Sequence, residues 1–175
     1  GIAIALGCNV ELPIEMPGVL NAGAGSIGLL RSEFMFMNRS DIPGEEEQFH
    51  ILKDIVEAMD GRTVTIRTLD IGGEKLAQSI TEDIGEIAQS ALGLRGIRLS
   101  LKMPHLLEAQ IAAILRAGAL GPVRILLPMV STVREVIKTR EVIKRVAAKL
   151  KRKKVAIAHP LPPVGVMIEV PSAAL

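Results

Sequence analysis

Tryptophan and tyrosine are missing from this sequence, and with only three phenylalanines the aromatics make up 2% of its 175 residues. Proteins that hold single-stranded nucleic acid stack bases on aromatic rings, so a chain this poor in rings is not built for that task. A single cysteine, Cys8, leaves no partner for an internal disulfide. An excess of charge is lacking too, since 21 basic against 19 acidic residues leave a formal +2. That balance is too even to attract nucleic acid or a membrane surface by bulk charge. No apolar run approaches the roughly 20 residues that span a bilayer, and no charged-then-apolar leader is visible. The chain therefore reads as cytoplasmic, with neither nucleic acid nor membrane as partner. Any recognition of an anion must be local.

What the sequence does have is core-forming material, 49% of it hydrophobic, enough for one domain. Short apolar runs alternate with longer segments of helical periodicity, the pattern of an α/β fold in which crossover helices join parallel strands. The strand runs are Ile2 to Val10, Ile27 to Leu30, Thr63 to Ile66, Val123 to Val130 and Val164 to Val170. Between them, a helix is expected from the acidic turn Glu45-Glu46-Glu47 to about Met59, and another from Leu106 to Ala117. A third, Thr132 to Lys154, carries Val133, Val136, Ile137, Ile143, Val146 and Leu150 on one face. Glu74 to Gln89 is too weakly patterned for either class and reads as a loop. Pro171 to Leu175 looks like the first turn of a further helix. Five strands exceed half of a (β/α)8 barrel, which normally takes about 250 residues. The expectation is a truncated barrel of about five strands out of eight, with an open doubly wound sheet as the alternative.

In a barrel of this kind, side chains at the C-terminal ends of the strands meet on one face. Arg31, Arg67 and Glu169 follow such ends, and Arg95 heads the apolar segment Leu92 to Leu101. Guanidinium forks bind carboxylate and phosphate oxygens in pairs, so arginines converging there call for a small polyanion. The structural alternative for any one of them is a surface ion pair, such as Arg31 with Glu33. Glu169 offers a hard oxygen ligand for a divalent metal. Asp70-Ile71-Gly72-Gly73-Glu74-Lys75 follows a strand and lets backbone approach a ligand, with Asp70 and Lys75 as supporting charges. Gly23 to Gly28 matches the dinucleotide fingerprint in letters but precedes a strand where it should follow one. His50, His105 and His159 have no nearby nucleophile or ligand cluster in sequence and read as structural or solvated, and Cys8 as a small buried hydrophobe. Met35, Met37, Met129 and Met167 read as core or rim, and Lys149 to Lys154 as a solvated helix end.

Four stretches, Gly28-Leu-Leu-Arg-Ser-Glu-Phe-Met-Phe-Met37, Glu45-Glu-Glu-Gln-Phe49, Ile66-Arg-Thr-Leu-Asp-Ile-Gly-Gly73 and Ala91-Leu-Gly-Leu-Arg-Gly-Ile-Arg98, together resemble enzyme I of the bacterial sugar phosphotransferase system or its nitrogen-related paralogue. The likeness continues through Leu127-Pro128-Met129 and Gly165-Val-Met-Ile-Glu-Val-Pro171. It implies a phosphoenolpyruvate-binding (β/α)8 barrel that takes the phosphoryl group from phosphoenolpyruvate, passes it to a histidine on a separate N-terminal domain and releases pyruvate. A histidine phosphocarrier protein would be the next acceptor. Arg31, Arg67 and Arg95 match the family's substrate-binding arginines, and Glu169 one of its two magnesium ligands. Alternatives of the same ancestry are a non-catalytic module for a phosphorylated metabolite and part of a pyruvate phosphate dikinase or phosphoenolpyruvate synthase.

The resemblance also implies missing parts. The phosphohistidine domain belongs upstream, and the last barrel strands, with the second metal ligand, a further arginine and a protonating cysteine, belong downstream. Cys8 does not correspond to that cysteine, and Gln89-Ser90 stands where the family has Asn-Pro. Residues 1–175 are thus expected to be a partial barrel domain, inactive alone, weak in binding phosphoenolpyruvate, and prone to form homo-oligomers that cover open sheet edges.

Overall fold

A computed structural model describes residues 2, 4–37, 39, 41–71 and 93–175. The strands are β1 (Gly7–Val10), β2 (Ser26–Leu30), β3 (Val64–Arg67), β4 (Val123–Leu127) and β5 (Val164–Val166). The helices are α1 (Met16–Asn21), α2 (Glu45–Ala58), α3 (Gly96–Lys102), α4 (Pro104–Ala117), α5 (Val133–Arg152) and the short α6 (Pro171–Ala174). All four strand pairings are parallel and the order is β1-β2-β3-β4-β5.

That order decides between the two architectures. A doubly wound sheet reverses direction at a switch point, placing non-consecutive strands side by side and helices on both faces. Here each strand pairs with the next in sequence, α2 packs on α4, and α4 packs on α5. The crossover helices therefore form one layer, which is the winding of a (β/α)8 wall.

The helices begin and end where local chemistry directs. Glu45, Glu46 and Glu47 sit on the positive end of α2, and Asp60 and Gly61, at φ 46° and 78°, turn the chain away beyond its end. The Glu135 carboxylate accepts the N–H groups of Ser131 and Thr132 at 2.7 and 2.9 Å, closing the start of α5, while Lys149, Lys151 and Arg152 crowd its negative end. Between sheet and helices lies the core. Val64, Ile66, Val123, Ile125 and Leu127 alternate inward from the strands to meet Leu52, Ile55, Ile111, Ile114 and Leu115. Arg116 locks the layer from outside, pairing with Glu45 and Glu46 at 2.8 and 2.7 Å with its guanidinium carbon 4.0 Å from the Phe49 ring centroid.

Several expected boundaries shift. The first strand starts at Gly7, where its pairing with Ser26 begins, and Ile2, Ile4 and Leu6 ahead of it stand exposed. The fifth stops at Val166, opposite Leu127, because β4 has no further residue to pair. The apolar segment headed by Arg95, which the sequence leaves unassigned, forms a helix from Gly96 onward. On α5 the buried stripe is Thr139, Val142, Ile143, Val146, Ala147 and Leu150. Val133 and Ile137 are exposed, because at about 100° per residue they lie roughly 110° and 150° around the helix from the centre of that stripe.

Candidate active site

Each strand delivers its last residues to one end of the sheet. Glu11 follows β1, Arg31 to Glu33 follow β2, Arg67 ends β3 with Asp70 three residues on, and Glu169 lies three beyond β5. Glu11, Arg31, Glu33, Arg67, Asp70 and Arg95 line one cavity of about 440 Å³, closed on its apolar side by Leu12, Phe34, Met37 and Ile71. The sequence-derived arginines thus meet. Lys75, the Gly72-Gly73 pair, the segment Glu74 to Gln89 and Gln89-Ser90 lie outside the described residues.

Among the described residues the cavity's charges are matched three against three. Arg31 pairs with Glu11, both well exposed. Arg67, 10% exposed at its side chain, donates from Nη2 to Glu33 Oε1 at 3.0 Å and stands 3.4 Å from Asp70 Oδ2. Arg95 donates from Nε to Asp70 Oδ1 at 3.2 Å. Asp70 therefore bridges two arginines, and Glu33 also accepts the Asp70 N–H at 3.0 Å. Glu33 turns toward β3 because a 3-10 turn, Glu33–Met35, starts at it immediately after Arg31-Ser32. This places it on Arg67, so the surface pair with Glu33 weighed as the alternative for Arg31 does not form, and the pairs are Arg31–Glu11 and Arg67–Glu33. Glu11 and Glu33 were not singled out as cavity residues from sequence. Their signal was position, each falling just past a strand end.

Arg95 owes its place to Gly96. Gly96 has φ +55°, and a Cβ there would come within 2.9 Å of the Met129 Cβ and 3.3 Å of Asp70 Oδ1. The Ile97 N–H donates to the Pro128 carbonyl, pinning the start of α3 over the end of β4. Met129, itself at φ 57°, donates its N–H to Glu169 Oε1 at 2.7 Å. Contacts thus run without a break from Arg95 through Gly96 and Met129 to Glu169. Met167, two residues before Glu169, approaches Arg67 with its sulfur 3.8 Å from Nη1. Glu169 sits beside the cavity, not in its lining.

The remaining candidates lie elsewhere. His50 is exposed on α2 with Nε2 3.2 Å from Glu46 Oε1, and His159 precedes a cis proline in the turn before β5. Cys8 is half-buried on β1 and packs against the core. Met35 and Met129 are buried, whereas Met37 lines the cavity. Among the described residues no cluster of three or more His, Cys, Asp or Glu is present, and no helix is long and apolar enough to cross a membrane.

Residues 1–175 match the family described as PEP-utilising enzyme, PEP-binding domain. A phosphoenolpyruvate-protein phosphotransferase of Cupriavidus necator is 43% identical over the whole chain. Proteins of the same name from Staphylococcus carnosus and Listeria monocytogenes are 40% and 38% identical over 99% and 100% of it. The chain spans about 30% of the length of each of these curated relatives. With strand order, cavity and sequence in agreement, the chain belongs to the PEP-utilising enzymes, matching their phosphoenolpyruvate-binding domain.

Proposed function

We propose that this chain binds phosphoenolpyruvate in the arginine-lined cavity, as part of a phosphotransferase that moves the phosphoryl group to a histidine on a separate domain. The observation that carries the reading is the convergence of Arg31, Arg67 and Arg95 on one cavity of about 440 Å³. Phosphoenolpyruvate presents a phosphate and a carboxylate, and forked guanidinium donors suit both groups. The acids matched to the arginines act as stand-ins for those oxygens. A ligand phosphate entering between Arg67 and Arg95 takes over the place of the Asp70 carboxylate, and Glu33 keeps its hold on the Asp70 backbone.

In the transfer, the bond from phosphorus to the enol oxygen breaks while a phosphorus–nitrogen bond to the incoming imidazole forms. The electron pair stays on the enol oxygen, and protonation of the enolate carbon gives pyruvate. The arginines hold the transferring group in line and neutralise its equatorial oxygens, which is where most catalysis of phosphoryl transfer lies. Magnesium would add stabilisation of charge developing on the enolate. Glu169 fits a share in that ion: one carboxylate oxygen is taken by the Met129 N–H, and magnesium accepts one or two carboxylates with water and substrate oxygens completing its shell. The relatives' name supports phosphoryl transfer to protein over the dikinase reading.

Two measurements test the proposal. Calorimetry with phosphoenolpyruvate and magnesium should show saturable binding, weak in this chain by itself, that disappears on Arg67→Gln. Joined to a histidine-bearing domain, the chain should release pyruvate from phosphoenolpyruvate. Binding without pyruvate release would favour a non-catalytic phospho-metabolite module, and the absence of both would overturn the reading.

A further inference from the structure

Gln110 lies on α4, which contributes no residue to the cavity, and it is 2% exposed. Its side-chain oxygen accepts the Leu69 N–H at 2.8 Å, and its amide nitrogen donates to Ser32 Oγ at 3.1 Å. The direction is not arbitrary. A backbone N–H can only donate, so Oε1 must face Leu69 and the amide hydrogens are left for the hydroxyl. Ser32 stands between Arg31 and Glu33, and Leu69 between Thr68 and Asp70, two residues past Arg67. One buried side chain therefore joins the two segments that carry four of the cavity's charged groups.

On the cavity side those segments are joined a second time, by Glu33 to Arg67 Nη2 and to the Asp70 N–H. The two ties differ in chemistry. The Glu33 tie is ionic and competes with any anionic ligand for the same guanidinium. The Gln110 tie is neutral and lies behind the segments, so an anion in the cavity leaves it untouched. A glutamate there would add a third buried carboxylate beside Glu33 and Asp70.

We propose that Gln110 is a positioning residue. It sets the spacing of Arg31 and Arg67 through Ser32 and Leu69, and keeps it when a ligand draws Arg67 from Glu33. The proposal rests on the reading that both arginines serve one anionic ligand.

Gln110→Met keeps the length of the side chain and removes both hydrogen bonds. Ile111→Val trims the neighbouring buried residue while leaving both Gln110 hydrogen bonds in place, and serves as the control for a general loss of packing. In isotope-labelled, ligand-free chain, Gln110→Met should speed hydrogen exchange at the Leu69 amide roughly tenfold, the scale of one lost buried hydrogen bond. It should also move the Nε–Hε signals of Arg31 and Arg67, whereas Ile111→Val moves neither. Titration with phosphoenolpyruvate and magnesium should then give an affinity lower by roughly tenfold in Gln110→Met and unchanged in the control, since displaced donors forfeit about one hydrogen bond to the ligand. Unmoved arginine signals in a folded Gln110→Met chain would overturn the proposal. Should that variant fail to fold, Ser32→Ala removes only the acceptor of the amide, and an unmoved Arg31 signal there overturns it equally. Wild-type arginine signals that ignore phosphoenolpyruvate would defeat the functional reading, while the ligand-free comparison still judges Gln110.

Discussion

Replacing Arg67 with glutamine should destabilise the fold as well as empty the site of its central cation. The Arg67, Glu33 and Asp70 side chains are 10%, 14% and 8% exposed, so the charges left behind are largely cut off from water. Removing one member of a fully buried pair costs about 3–5 kcal/mol. Slight exposure and the surviving contact of Asp70 with Arg95 at 3.2 Å reduce the expected loss to roughly 2–4 kcal/mol. For a chain of this size that is a drop in Tm of roughly 5–15 °C. The informative comparison adds Glu33→Gln. Alone it removes the negative charge facing Arg67 and weakens the hold on the Asp70 N–H, and combined with Arg67→Gln it removes a stranded carboxylate. The double variant should therefore be more stable than the sum of the two single changes requires, by roughly 1–2 kcal/mol. Urea unfolding with a constant m-value gives the three differences directly. Strict additivity would show that the buried ion pair does not hold these segments together.

Gly96→Ala should cost more than about 1 kcal/mol, because the residue sits at φ +55° with its Cβ against Met129, and anion affinity should fall with it as Arg95 is displaced. Glu169→Gln keeps an acceptor for the Met129 N–H and removes the charge; the magnesium dependence of phosphoenolpyruvate binding should vanish while the unfolding midpoint barely moves. Hydrogen bonding to Arg116 holds the Glu46 carboxyl below its ordinary value. A carboxyl depressed in the folded state stabilises above its unfolded pKa, near 4.5, and loses that contribution as pH falls through the folded value. Arg116→Leu should accordingly flatten the decline of stability below about pH 4.5, and an unchanged acid limb would contradict the pairing. With Ile2, Ile4 and Leu6 exposed beside β1, sedimentation should show self-association, and a stable, well-folded monomer would refute it.

The alternation of apolar runs with helical periodicity was enough to read the α/β class, and the positions of Arg31, Arg67 and Glu169 after strand runs placed them on a common face. Periodicity does not report strand order, so barrel and doubly wound sheet stayed open until the consecutive pairing from β1 to β5 separated them. Apolar patterning overstates strand length at both edges, because apolar residues such as Ile4 and Ile168 continue past the last available pairing partner. Val133 and Ile137 misled for the opposite reason: they are apolar but off the buried stripe. Ion pairing was the least legible feature. Glu33 is two residues from Arg31 and 34 from Arg67, yet the turn that begins at Glu33 sends its carboxylate to the distant partner. Gln110 shows the same limit, since nothing local marks a glutamine within an apolar helix as the tie between two distant segments.

The central claim is that three arginines from separate segments hold one phosphoenolpyruvate. A crystal structure of the chain grown with phosphoenolpyruvate and magnesium tests it most directly. The ligand should lie in the cavity with its oxygens on Arg31, Arg67 and Arg95, and with the Asp70 carboxylate no longer bridging Arg67 and Arg95. A ligand bound elsewhere, or an Asp70 bridge intact beside an empty cavity at saturating phosphoenolpyruvate, would contradict the account.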